Sequence, residues 1–304
     1  ASNPFFLGVG FVKPHTPLYA PRKYFDMFPL DEIILPEIKN GDIDDTHYKD
    51  VYPPSEMGIN YYNKLKLSFP GNEGLKKFLR AYLACIAFMD DQVGKVLNAL
   101  ENSKFSENTI VILTSDHGWQ MGQKEYLYKN SPWEESTRIP MIIKTPQKQL
   151  GEVLEPVSLI DIYPTFIDLC KLQKTSSESN LEPDGNTLNP LLNNPNSKSW
   201  EGSSGALTLL GVGINQPIEG IGINNNKAAP WHIEIIKDLN ESFINKQNYT
   251  IRTRDYRYIL YNDGSEELYD HKNDLKEWHN LSSNKSYEKI KKKLNKQLLK
   301  KIKT

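Results

Sequence analysis

Asp116 and His117 stand side by side in TSDHGW, where the apolar run NTIVIL stops. A carboxylate is a hard oxygen ligand suited to calcium or magnesium, and an imidazole adds a nitrogen donor favoured by softer metals. The same two residues could instead cap a turn and bond within a polar loop, and the pair alone leaves both readings open. A second group is Lys13 and His15 in KPHTP, a loop stiffened by Pro14 and Pro17. A fixed cation beside a titratable imidazole suits an anionic substrate, as charge stabiliser or proton donor; a rigid turn with exposed polar residues would look the same. The third is Lys129, in KEYLYKNSPWEESTRIP. An ammonium near a metal can hold an oxyanion and steady a leaving oxygen, although most lysines are simply solvated. Glu134, Glu135 and Arg138 in the same stretch read as a charge cluster supporting the loop.

These residues need elements to hold them. Phe5–Phe11 is a short apolar run that reads as a buried strand, with KPHTP directly after it. Residues 14–60 are rich in Pro, Asp and Tyr and read as surface loop. From Glu73 to Asn102 apolar residues recur at three- and four-residue spacing (Phe78, Leu79, Tyr82, Leu83, Ile86, Val93, Val96, Leu97, Leu100), the pattern of a one-faced helix. Asn108–Leu113 is β-branched and predicts a core strand; IPMIIKTP predicts its neighbour. PVSLIDIYPTFIDLCKL has helical periodicity with a break or kink near Pro164, and residues 173–202 read as a Ser/Asn/Pro-rich surface excursion. YTIRTRDYRYILYNDG alternates and then turns at Asn262-Asp263-Gly264, a hairpin signal. The last twenty residues carry nine lysines and one Glu, with Tyr287, Ile290, Leu294, Leu298 and Ile302 along one side. They predict a solvated amphipathic helix.

Helix and strand in alternation imply an α/β fold with a mainly parallel central sheet flanked by helices, and ligands gather beyond the carboxyl ends of such strands. The organisation expected is an α/β domain over 1–200 and a small α+β subdomain over 201–304 with an antiparallel hairpin and a terminal helix. The 304 residues carry a formal net charge of -1, with 38% hydrophobic and 25% charged residues, which argues against a strongly basic nucleic-acid binder. No apolar run approaches the ~20 residues of a membrane helix. Cys85 and Cys170 sit in apolar helical patterns and read as buried thiols; two cysteines make no disulfide framework.

Taken together, these stretches resemble the formylglycine-dependent sulfatases of the alkaline phosphatase superfamily, most of all the iduronate-2-sulfatase group. The resemblance runs in order through PFFLGVGFVKPHTP, AYLACIAFMDDQVGKVLNAL, NTIVILTSDHGWQMGQKEYLYKNSPWEESTRIPMII, PVSLIDIYPTFIDLC, DGNTLNPLL and YTIRTRDYRYILYNDGSEELYDHKNDLKEWHNL, with Thr109–Pro140 the most specific part. It implies that Asp116 and His117 are calcium ligands and that Lys129 contacts the sulfate and its bridging oxygen. It places His15 beside the ester as contact or leaving-group acid, with Lys13 close by. It also implies a sulfated saccharide or other sulfate ester as substrate, no nucleic-acid partner, and a periplasmic, extracellular or lysosomal location.

Two features of that family are not in the sequence. Its nucleophile, a formylglycine, is made from the first residue of C/S-x-P-x-R, and neither cysteine nor any serine here heads that motif. The paired N-terminal aspartates that complete the metal site are also absent. The expectation is therefore a C-terminal portion of a sulfatase, inactive alone. A phosphatase or phosphodiesterase of the same superfamily, with a Ser/Thr nucleophile, and a non-catalytic glycan-binding remnant are the rival readings.

Overall fold

The computed structural model describes residues 4–51, 57–147, 150–172, 183–210 and 247–302. Its N-terminal part holds the helices α1 (Arg22–Phe25), α2 (Tyr48–Val51), α3 (Met57–Ser68) and α4 (Glu73–Glu101). Strand β1 (Val111–Thr114) follows, then β2 (Gln120–Met121), β3 (Leu127–Tyr128), the one-turn helix α5 (Glu134–Thr137) and β4 (Met141–Lys144). Helices α6 (Ile162–Cys170) and α7 (Asn189–Asn193) precede the strands β5 (Ala206–Leu210), β6 (Asn248–Arg252), β7 (Tyr256–Leu260) and β8 (Glu266–Asp270). Helix α8 (Glu288–Ile302) closes the chain.

The expected parallel central sheet is not seen among the described residues. They form two two-stranded ribbons, β1–β4 and β2–β3, and a four-stranded sheet in the order β5-β6-β7-β8, all antiparallel. The reason is the connection between β1 and β4. A parallel return needs a long crossover, usually a full helix; here the chain spends the interval on a small hairpin and a single helical turn and comes back antiparallel. Phe5–Phe11 likewise contains no strand, and Phe6 and Leu7 are exposed.

Elsewhere the patterns hold with instructive departures. Helix α4 forms as the periodicity predicts, but its stripe is only half-buried. Phe78, Leu79 and Tyr82 pack partly against the core, Val96 and Leu97 are exposed, and the buried apolar side chains are Leu75, Ala84 and Cys85, outside the stripe. Pro164 does not kink α6. It lies in the first turn, where a missing N–H breaks no helical bond. Cys170, unlike Cys85, is exposed. Residues 14–60 are not merely surface: Ile43, Thr46 and Tyr48 are buried, and α3, which begins within this stretch, packs Gly58 so tightly on Tyr126 that an added Cβ would lie 2.1 Å from its ring. The 173–202 excursion is described only from 183, and there Leu188, Leu191 and Trp200 form a small core of their own.

The C-terminal sheet has two buried faces. Strand alternation puts Tyr249, Ile251, Tyr258 and Leu268 against Leu294 and Leu298 of α8. Ile259, Tyr261 and Tyr269 pack with Tyr48, Tyr126 and Trp133 from the N-terminal part. Buried Glu267 lies on this second face and accepts from Trp133 Nε1 (3.0 Å), Tyr261 Oη (2.8 Å), Tyr269 Oη (2.8 Å) and the His47 amide (2.7 Å). Removing that acceptor strands four donors where water cannot reach. Glu267→Ala should therefore lower unfolding free energy by about 3 kcal/mol or more, read as a shift in urea midpoint with Trp fluorescence as probe. A loss under about 1 kcal/mol would contradict this assignment.

Candidate active site

Strand β1 ends at Thr114, and the next turn carries Ser115, Asp116 and His117. The Asp116 side chain is exposed, while that of His117 is mostly covered. The turn bonds itself together: the His117 amide donates to Asp116 Oδ1 (3.1 Å) and Ser115 Oγ donates to the His117 carbonyl (3.1 Å). It is then pinned to α5, because the Gly118 and Trp119 amides donate to the carbonyls of Ser136 (2.8 Å) and Glu135 (2.6 Å). Only glycine permits that approach. A Cβ at 118 would lie 2.2 Å from the Glu135 carbonyl oxygen and 2.6 Å from that of Arg138.

Lys129 reaches the same place through the β2–β3 ladder. Gln120 pairs with Tyr128, so the residue after Tyr128 comes back level with the His117–Trp119 turn. The connecting loop is tight: Gly122, Lys124 and Glu125 all have positive φ, and Tyr128 does too (φ 76°). Such conformations in bulky residues persist only where surroundings hold them. Here buried Lys124 is held by Asp42 (Nζ to Oδ1, 2.9 Å) and the Glu277 carbonyl. Ser136 Oγ donates to buried Gln120 Oε1 (3.0 Å), tying the ladder to α5.

The outcome is a three-residue constellation. Lys129 Nζ lies 2.8 Å from His117 Nε2, and Asp116 Oδ2 lies 3.5 Å from the same nitrogen. His117 Nδ1 lies 2.8 Å from the Gly118 carbonyl, an acceptor, which assigns the proton to Nδ1 and leaves Nε2 as the lone-pair donor. That lone pair accepts from the Lys129 ammonium here, so His117 and the exposed Asp116 carboxylate would suit a divalent cation as two of its ligands once Lys129 turns to another acceptor. Lys13 and His15 are not brought into this constellation by any hydrogen bond. Lys13 Nζ donates to the carbonyls of His15 (3.4 Å) and Pro17, and His15 Nδ1 lies 2.5 Å from the Thr16 carbonyl.

The supporting charge cluster differs from the one expected. Glu134 pairs not with Arg138 but with the C-terminal sheet. Arg252 and Arg257 stand directly opposite one another on β6 and β7, and Glu134 Oε2 accepts from Arg252 Nε (3.0 Å) and from Arg257 Nη2. Arg257 Nε also donates to Glu277 Oε1 (2.5 Å), while His271 bridges Arg252 Nη2 (2.8 Å) and Glu277 Oε1 (2.7 Å). Glu134, His271 and Glu277 converge closely enough to suit a cation. The two guanidiniums already supply the positive charge, so the cluster reads as structural. A visible signal was Arg257, a charge between two tyrosines inside a strand pattern.

Comparison with known proteins gives this geometry its context. Residues 1–172 match the sulfatase family, which is more than half of the chain. The chain belongs to the sulfatase family. Residues 216–304 match the C-terminal region of N-sulphoglucosamine sulphohydrolase. A sulfatase of Formosa agariphila is 33% identical over 285 residues, covering 93% of this chain and 47% of its own length. The chain thus spans about half the length of the curated relatives it matches. Among solved structures, the phosphonate monoester hydrolase of Agrobacterium radiobacter shares the fold with a TM-score of 0.73 at 22% identity, over 99% of this chain and 57% of that one. A structure described as being in complex with its substrate D-glucosamine-2-N,6-O-disulfate has a TM-score of 0.65 at 21% identity, over 96% and 64%.

The cluster beneath the site responds to acid. Burial alone would push the Glu277 carboxyl up, but the Arg257 charge and the His271 hydrogen bond outweigh it and bring it down to about 2 from 4.5. Glu134 is lowered as well, Arg257 and Arg252 together overcoming its burial. A folded value below the unfolded one means stability that is complete above about 4.5 and is lost as pH falls toward about 2. Urea midpoints of the parent should fall steeply across that window. Glu277→Gln should start lower and fall less steeply; parallel curves would contradict the assignment.

Proposed function

We propose that this chain supplies one half of the active site of a sulfuric ester hydrolase acting on sulfated sugars, of the iduronate-2-sulfatase type. The observation that carries the reading is the meeting of Lys129, His117 and Asp116 at the end of β1. Family membership makes sulfate monoesters the substrate class. The disulfated glucosamine named for one structural neighbour supports a sugar, and the order of the matching stretches supports the iduronate-2-sulfatase type.

In this reading Asp116 and His117 hold a divalent ion, calcium by family resemblance, which would neutralise charge on the sulfate group. The Nδ1–H bond to Gly118 keeps the His117 ring turned and its Nε2 basic. The Lys129 ammonium takes a sulfate oxygen and the bridging oxygen, stabilising charge as the S–O bond breaks. His15, as the imidazolium, keeps its Nδ1–H on the Thr16 carbonyl and presents Nε2–H to the leaving alkoxide, to which that proton passes, and Lys13 adds positive charge beside it. The nucleophile, a formylglycine in this family, and the remaining metal ligands come from a segment outside these residues. The 304 residues alone do not turn over.

Two measurements test this on the enzyme completed with a C/S-x-P-x-R segment. Lys129→Ala should reduce turnover of a sulfated monosaccharide by roughly 10²–10³, with the circular dichroism spectrum unchanged; near-parental turnover would remove Lys129 from the mechanism. Asp116→Asn should lower the calcium content found by elemental analysis. Full occupancy would show that Asp116 is not a ligand.

A further inference from the structure

Helix α8 concentrates its charge on one side. At about 100° per residue, Lys289, Lys292, Lys293, Lys296 and Lys300 share roughly a 100° arc, and all five are exposed. Leu294 and Leu298 point the other way and are buried against the C-terminal sheet. The helix contains one acid, Glu288, which lies 3.3 Å from Lys292 and 3.6 Å from Lys291. Lys291 stands apart from the stripe, on the packed flank, where it pairs with Glu266 (2.9 Å) and donates to the Ser282 carbonyl (3.0 Å). Lys289, Lys293 and Lys296 make no ion pair among the described residues.

Packing requires none of Lys289, Lys293 and Lys296. Their spacing puts like charges three and four residues apart, and each such pair weakens a helix by about 0.2–0.5 kcal/mol. The stripe runs about 17 Å along the axis, on a chain whose net charge is only -1. A linear polyanion would relieve the repulsion along its whole length. A membrane surface would need several apolar side chains beside the lysines, but Leu299 at the edge of the stripe is the one exposed leucine of α8, and Leu294 and Leu298 are buried in the sheet. Nucleic-acid surfaces typically add stacking aromatics or arginine, and the exposed face of α8 has neither. Ammonium groups act as hydrated point charges and suit the dispersed sulfates of a flexible polymer. We propose that the lysine face of α8 docks a linear sulfated polysaccharide. The choice of polymer, though not the surface itself, rests on the function proposed above.

The test measures binding of the unaltered chain to immobilised dextran sulfate across a salt series. Neutral dextran, duplex DNA and phosphatidylserine vesicles are run alongside. The variant carries Lys289→Glu, Lys293→Glu, Lys296→Glu and Lys300→Glu. The parent should bind dextran sulfate in preference to the other three. The variant should lose at least tenfold in affinity, and its log–log salt slope should shrink by roughly 3. If the variant fails to fold by circular dichroism, the four Lys→Gln changes replace it, with the same direction expected. Unchanged affinity in a folded variant overturns the proposal, and so does equal or tighter parental binding to DNA or vesicles. Because no turnover is read, binding through α8 by a protein that never hydrolyses sulfate esters would defeat the proposed function and leave this surface standing.

Discussion

Two arginines facing each other across a strand pair set the terms for the rest of the molecule. Arg252 and Arg257 are in direct register on β6 and β7, and Arg257 is fully buried. Opposed like charges in a sheet repel, and a buried guanidinium without a partner is far costlier. The Glu134 carboxylate answers both charges, and it comes from α5, more than a hundred residues earlier. The sheet therefore recruits α5, and α5 in turn holds the turn that carries Asp116 and His117 through the carbonyls of Glu135 and Ser136. Fold and site share a single electrostatic requirement.

The site itself is built from short-range devices. A two-residue ladder brings Lys129 back to His117, a glycine lets the strand end touch α5, and a backbone carbonyl selects the imidazole tautomer. None of the three depends on a large sheet. A constellation made this way keeps its internal geometry even though the sheet that supports it is only a two-stranded ribbon.

Much of this was legible in the sequence where pattern and partner lie close together. The extent of α4, the turn at Asn262–Gly264 and the leucine face of α8 each follow from local spacing, and the structure realises all three, although the α4 stripe is only half-buried. The TSDHGW and Lys129 segments lie within hydrogen-bond reach of one another, whereas Lys13 and His15 bond within their own loop. What spacing could not give was partner choice over long range. Asp42 with Lys124, and Glu134 with Arg257, join residues 82 and 123 positions apart. Proximity in sequence points instead to Glu135 and Arg138 next door. Strand sense failed for a similar reason: apolar runs mark strands, but the route between them decides parallel or antiparallel. Phe5–Phe11 shows the same limit, being apolar enough for a strand without having one to pair with among the described residues.

The β1–β4 ribbon has a consequence for handling the protein. Each strand has a single ladder partner among the described residues, so each leaves one edge of amides and carbonyls open, and Leu113 and Ile142 add exposed apolar surface. VILT and MIIK combine β-branched and aliphatic residues with little charge. Such edges template further strands from any chain that drifts past. Produced as these residues alone, the polypeptide would be prone to self-association through this ribbon at high concentration. Its colloidal behaviour would then be set at the strand that leads into the Asp116–His117 turn, and not at the highly charged helix α8.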